Sequence, residues 1–87
     1  MIKEFEFDNC MLGIGNTFIR FDWNHTCDFI LFKDIYYINS NLDGLQITFK
    51  MALDGQSNIK YPCSDSQVIR GAYLFLKEKI TLFHMGN

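Results

Sequence analysis

The chain has no run of basic residues anywhere along its length. Its eight lysines and arginines are outnumbered by ten aspartates and glutamates, which gives a formal net charge of −2. Proteins that bind nucleic acid normally carry a patch or stripe of positive charge, so we expect no direct contact with nucleic acid. The first 54 residues hold eight of the ten acids and four of the eight bases. This imbalance suits an acidic face that meets a protein partner with a basic surface.

Long apolar runs are also absent. No window approaches the roughly 18–20 consecutive apolar residues that a membrane-spanning helix needs, and the opening segment MIKEFEFDN lacks the apolar core of a signal peptide. The three cysteines are irregularly spaced, which is typical of free thiols in a reducing compartment rather than of a disulfide framework. We therefore expect one cytoplasmic domain, residues 1–87, that does not contact a membrane.

Residue clusters that could carry chemistry are sparse. Four titratable residues fall within seven positions: Asp22, His25, Cys27 and Asp28. A zinc site would need a second pair of ligands, which Cys10 and Cys63 would supply only if the fold brought them close. A Cys27 nucleophile with His25 as its base lacks a recognisable orienting acid or oxyanion motif. We expect loop polarity and buried free thiols here, with no metal and no catalytic residue.

Cofactor motifs are incomplete. Residues 13–18, GIGNTF, start like a dinucleotide-binding fingerprint, but they lack its third glycine and precede an expected strand rather than a helix. The sequence thus favours a protein that is not an enzyme and binds no cofactor.

What the chain does contain is a strand pattern. Alternating apolar residues predict strands over 2–7, 17–23, 45–51 and 58–61, with a turn at 13–16. Segments 29–32 and 35–38 are apolar at both alternating positions, which is typical of a strand covered on both faces. Asp43-Gly44 and Asp54-Gly55 predict tight hairpin turns of type I′, in which both central residues have positive φ.

The C-terminal third predicts one amphipathic helix over residues 65–83. Ser64 and Gln67 fit a capping box, and Asp65 suits the first turn of the helix dipole. The apolar residues of this segment cover about half of the helix circumference. Leu74 falls outside this arc and should face solvent.

These elements predict an α+β domain: an antiparallel β-meander of four to five strands within residues 2–62, followed by the C-terminal helix. The segment FILFKDIYYINSNLDGLQITFKMALDGQSNIKYPCSDSQVIRGAYLFLKEKI resembles small bacterial and phage proteins with a PH-like, meander-plus-helix plan. In those proteins a strand, an isoleucine-rich strand, a hairpin and a terminal helix follow in this order. The resemblance is a pattern of apolar positions without a functional motif, so it implies no site residues.

The helix and the segments at 29–38 have more apolar surface than one sheet face under one helix can cover. Either the N-terminal strands curl over to make a barrel-like body, or a second molecule covers the remainder. Our candidates for the partner-binding surface are Trp23, Tyr36, Phe75 and Leu82.

Three functions are compatible with this sequence. The favoured one is a small non-catalytic protein-interaction module, an inhibitor, immunity or anti-defence protein of a phage or mobile element that occupies a surface on a larger partner. The alternative is a homodimeric structural or regulatory protein. An enzyme or metal protein centred on His25 and Cys27 is the least favoured.

Overall fold

A computed structural model describes residues 2–51 and 55–86 of the chain. The strands are β1 Lys3–Glu6, β2 Met11–Ile14, β3 Phe18–Asp22, β4 Cys27–Leu31, β5 Ile35–Asn41, β6 Gly44–Lys50 and β7 Gln56–Pro62. A short 3-10 turn, Phe32–Asp34, joins β4 to β5, and the helix α1 spans Ser66–Met85.

The strands form two antiparallel sheets, one with the order β1-β2-β3-β4 and one with the order β5-β6-β7. The helix packs mainly against β5, with further contacts to β6 and β1. This arrangement confirms the α+β class, the strand meander and the C-terminal helix. The two sheets do not join into a closed barrel.

The structure has more strands than the four to five expected. Residues 11–14 form β2, which pairs with β1 on one side and with β3 on the other. The prediction of a turn at 13–16 was wrong in its position, because Gly13 and Ile14 belong to the strand and the bend falls at Asn16 and Thr17. Burial of Leu12 and Ile14 outweighs the low strand propensity of the glycine between them.

Aromatic stacking joins the two sheets. Phe21 of β3 and Tyr61 of β7 are fully buried, with ring centroids 3.5 Å apart and an interplanar angle of 3°. The Tyr61 hydroxyl also donates to Asp28 Oδ2 of β4, at 3.2 Å. The helix contributes Ile69, Ala72 and Leu76 to the same core.

The hairpin turn between β5 and β6 forms, but its two turn residues are Leu42 and Asp43, and Gly44 already pairs with Asn41 in the sheet. Gly44 does not adopt a positive φ, so the type I′ turn expected at Asp43-Gly44 is not the one that forms. The turn predicted at Asp54-Gly55 lies outside the described residues. On its flanks, the Met51 N–H donates to the Gly55 carbonyl at 2.8 Å.

The helix begins at a different residue from the one expected. Asp65, not Ser64, is the N-cap: its Oδ1 accepts from the backbone N–H groups of Gln67 and Val68, at 3.0 and 3.3 Å. Ser64 instead donates its N–H and its hydroxyl to Asp8 Oδ1. The capping box was therefore wrong, and the helix extends to Met85 rather than to residue 83. Within residues 2–51 and 55–86, no helix combines the length and apolar character needed to cross a bilayer.

Candidate binding cleft between strand β5 and the helix

Strand β5 has one free edge. In its sheet it pairs only with β6, so its opposite side is the sheet boundary. Among the described residues, no backbone hydrogen bond joins that boundary to another segment. An edge of this kind exposes N–H and C=O groups that can pair with another chain.

A cavity of about 280 Å³ lies along this edge. Its sheet wall consists of four consecutive residues, Ile35 to Ile38. Successive side chains of a strand point to opposite faces, so a cavity lined by four residues in a row borders the edge of the strand or the bulge between Ile35 and Tyr37. The helix wall consists of Tyr73, Lys77, Ile80, Thr81 and His84.

A second cavity continues along the same two elements. It is lined on the β5 side by Ser40, Asn41 and Leu42, and on the helix side by Ser66, Gln67, Ile69 and Arg70. The start of β5 thus faces the end of α1, and the end of β5 faces its start, so strand and helix run in opposite directions. We call the two cavities together the β5–α1 cleft.

The first cavity is lined mainly by apolar and aromatic side chains, the second mainly by polar ones, and both are accessible. Tyr36 and Tyr37 are 56% and 59% exposed, and Leu42 is 96% exposed. A β-bulge at Tyr36 shifts the register with β6 between Ile35 and Tyr37. Bulges redirect side chains locally and are frequent next to functional sites. The cleft therefore combines unpaired backbone, aromatic surface and tyrosine hydroxyls.

The four candidates predicted from sequence do not meet at one surface. Tyr36 lines the cleft, as expected for a contact residue. Leu82 is also exposed, at 54%, but positions 75 and 82 lie on the helix flank opposite to the cleft, since each residue turns the helix by about 100°. Trp23 is half-buried near the end of β3 and donates its Nε1–H to Asp28 Oδ2, at 3.1 Å.

Phe75 was expected to be exposed, and this was wrong. It is half-buried, with its ring centroid 6.1 Å from that of Phe5 in β1 and the Lys79 ammonium 5.6 Å from the ring. The first sheet reaches this flank of the helix and supplies cover that the sequence could not reveal.

Within the chain, only one face of segments 29–32 and 35–38 is covered, so the expected cover of the other face by a second molecule stays a prediction. Ile30, Phe32 and Ile35 are buried, whereas Phe29 is 57% exposed and only stacks on Phe18, with centroids 4.9 Å apart. One face of these strands remains open, and at β5 that open surface borders the cleft.

The titratable cluster of the β3–β4 hairpin has structural partners. Asp22 accepts from Arg20 Nε at 2.9 Å, and Asp28 accepts from both Trp23 and Tyr61. Desolvation and a hydrogen bond with Asp22 raise the pKa of the Cys27 thiol, whereas a nucleophile requires a lowered pKa.

The other two cysteines are buried free thiols. Burial, helped by the negative charge of Asp28, raises the pKa of Cys10 to about 11, and burial also raises that of Cys63. Within the described ranges, no three ligand-type side chains come close enough to hold a metal.

No protein-family model matches the chain, and no curated protein matches it. The β5–α1 cleft is therefore the basis for a functional proposal. Sequence patterns did not indicate it, because which strand lies at a sheet edge depends on tertiary pairing. The one usable signal was the unusual pair of adjacent tyrosines in an apolar segment.

Proposed function

We propose that the chain is a small non-catalytic protein-interaction module, and that it binds an extended segment of a partner protein in the β5–α1 cleft. The supporting observation is that the open edge of β5 forms one wall of the cleft. An extended segment added to an exposed edge gains affinity from main-chain hydrogen bonds and specificity from pockets for its side chains. Here the helix wall would supply the pockets.

In this proposal the protein acts in the cytoplasm as an inhibitor, immunity or anti-defence protein of a phage or mobile element. It would occupy a surface on a larger partner and block that surface. The small size of the chain supports this role. Glu4 and Glu6, both exposed on the edge strand β1 at the other flank of the helix, would suit a basic region elsewhere on the partner.

A homodimer is the second candidate, and one observation favours it. An exposed edge strand can pair with the same strand of a second copy about a two-fold axis. In that case β5 of each copy would cover the tyrosines of the other. Sedimentation velocity over a range of protein concentrations separates the candidates, because only the second predicts a dimer without any partner.

The first proposal can be tested by selecting binders from a display library of random peptides, each about ten residues long, which matches the length of a strand. We expect a selected peptide to shift the amide resonances of β5 and of the facing residues of α1. It should also slow hydrogen exchange at outward-facing β5 amides, because these gain a partner.

Matched variants localise the binding. Tyr36→Ser should weaken binding of the selected peptide, whereas Leu82→Ser, an equally exposed change on the opposite helix flank, should not. Selected peptides that shift only residues outside the cleft, or that leave β5 exchange unchanged, would show that the proposal is wrong.

A further inference from the structure

A row of nitrogen-bearing side chains, the cations Arg70 and Lys77 and the imidazole of His84, lies along the helix wall of the cleft. Arg70 lines the part beside the end of β5, and Lys77 and His84 line the part beside its start. These positions are seven residues apart, so they nearly align, with a drift of about 20° for each seven residues. At a rise of about 1.5 Å per residue, consecutive members are about 10.5 Å apart along the helix.

No acidic side chain offsets this row. Of the described residues that line the two cavities, none is an aspartate or glutamate. Asp43, in the turn after β5, pairs with Lys60 at 2.9 Å, and Asp34, before β5, lies 3.8 Å from Lys33. The cleft is therefore locally positive on a chain whose net charge is −2.

The sequence of β5 excludes a second copy of this strand as the best occupant. Residues 35–41, IYYINSN, contain no charged side chain. A second β5 in the cleft would satisfy backbone groups but would bring no negative charge to the cationic row. A complementary occupant carries carboxylates, because opposite charges across an interface speed association and select partners.

We propose that the segment bound in the β5–α1 cleft is acidic: its backbone pairs with the edge of β5, and its carboxylates lie near Arg70, Lys77 and His84. This inference rests on the proposed function and specifies its partner. The row spans about 21 Å, and an extended segment rises about 3.4 Å per residue. About seven residues therefore suffice to reach all three side chains.

Four synthetic peptides, each about ten residues long, test this inference on the full chain by fluorescence anisotropy. The first alternates threonine with glutamate. The second and third replace glutamate with glutamine or with lysine. The fourth is the threonine–glutamate peptide with every backbone nitrogen methylated, which keeps the charge but removes all of the backbone donors.

We expect the threonine–glutamate peptide to bind at least about fivefold more tightly than its glutamine counterpart, the lysine peptide to bind most weakly, and added salt to reduce the difference. Equal binding of the glutamate and glutamine peptides would overturn the acidic partner while leaving strand addition intact. Equal binding of the N-methylated peptide would overturn strand addition, and with it the proposed function. Failure of every peptide to bind at about 1 mM would overturn both.

A pair of variants assigns the effect to the row. Lys77→Gln should weaken binding of the threonine–glutamate peptide about fivefold, a typical effect of one interfacial charge. Lys50→Gln removes the same charge from an exposed residue of β6 outside the cleft and should leave the affinity unchanged. Circular dichroism checks that both variants are folded. Equal effects of the two variants would mean that overall charge, not the row, attracts the peptide, and would overturn the inference.

Discussion

Single residues determine how closely the strands pack, and Gly44 does so by allowing close contact between β6 and β7. A Cβ added to Gly44 would lie 2.6 Å from the carbonyl oxygen of Tyr61. The neighbouring backbone cannot move away easily, because Gly44 pairs with Pro62 and Leu45 pairs with Tyr61 in the same ladder. The glycine is therefore needed for space rather than for backbone angle.

We predict that Gly44→Ala lowers the free energy of unfolding by about 2 kcal/mol or more, as expected for overpacking against backbone. Gly55→Ala is the control, because among the described residues its Cβ would approach only Met51 Cβ, at an ordinary 3.8 Å, and it should change stability by less than about 0.5 kcal/mol. Urea unfolding measures both. Equal losses of unfolding free energy in the two variants would contradict the close contact at Gly44.

Asp28 connects the sheets by accepting two hydrogen bonds. Asp28→Ala removes the acceptor of the fully buried Tyr61 and of Trp23, so we predict a loss of about 1–3 kcal/mol, the cost of an unsatisfied buried donor. Asp22→Ala breaks a half-exposed ion pair with Arg20 and should cost well under 1 kcal/mol. Thermal unfolding followed by circular dichroism compares the two. Equal shifts would show that Asp28 has no special role.

Because of Cys10, the free energy of unfolding changes with pH in the alkaline range. Its pKa rises from the usual 9.0 to about 11 in the folded chain, through burial first and nearby negative charge second. Above pH 9 the unfolded chain releases a proton that the folded chain retains. The contribution of the Cys10 thiol to the free energy of unfolding is therefore complete below pH 9 and is lost as the pH rises toward 11.

We predict that Cys10→Ala is less stable than the original chain at pH 7.5, and that the gap narrows by about 2 kcal/mol at pH 10.5. Urea unfolding at both pH values gives the gap. A constant gap would mean that the thiol has the same pKa in both states.

At the scale of elements, the helix shows how local signals compete. Ser64 and Asp65 are both good capping residues, and the sequence alone favoured Ser64 because Gln67 follows at the right spacing. In the structure Ser64 donates hydrogen bonds to Asp8 instead, and these bonds join the start of the helix to the β1–β2 connection. Asp65 then caps the helix.

We predict that Asp65→Ala destabilises the protein by about 1 kcal/mol, as expected for loss of an N-cap. Ser64→Ala should cost less, because its backbone N–H still donates to the exposed Asp8. Hydrogen exchange at the Gln67 and Val68 amides distinguishes the roles, since only Asp65→Ala should accelerate it. If Ser64→Ala alone accelerated hydrogen exchange at these amides, Ser64 would be the N-cap, as the capping-box prediction stated.

The alternating pattern of apolar residues predicted some strands correctly and missed another. Alternation correctly located β3 and β6, in which every second residue is buried or faces the core. It failed at β2, where two buried residues flank a glycine, because only pairing with β1 and β3 reveals that strand. Edge position is likewise decided by pairing, which is why the β5 edge was not anticipated.

At the scale of the whole molecule, the helix divides the surface into two flanks. The β5 flank carries the cleft, and the β1 flank carries Phe75 and Leu82. The first sheet partly covers the β1 flank by placing Phe5 against Phe75. The uncovered apolar surface is therefore greater beside β5 than the helix pattern alone suggested.

We predict that Phe75→Ser lowers the free energy of unfolding by about 1–3 kcal/mol, because it removes a half-buried ring. Leu82→Ser should change it by less than about 0.5 kcal/mol. Light scattering of both variants tests association in parallel. A loss of dimer mass on Leu82→Ser would move the interface to the β1 flank and favour the homodimer.

Local periodicity and turn chemistry were enough to predict the class of this protein: alternating strands, an amphipathic helix and a hairpin between β5 and β6, although its turn is at Leu42-Asp43 rather than at Asp43-Gly44. Only the tertiary structure decided which apolar residues stay exposed. Tyr36 and Phe75 look alike in sequence, but β1 covers Phe75 while nothing among the described residues pairs with the outer edge of β5. The alignment of Arg70, Lys77 and His84 was readable from their spacing. The function of these aligned side chains could not be read from the sequence, because they form a binding surface only together with the strand edge that lies opposite to them.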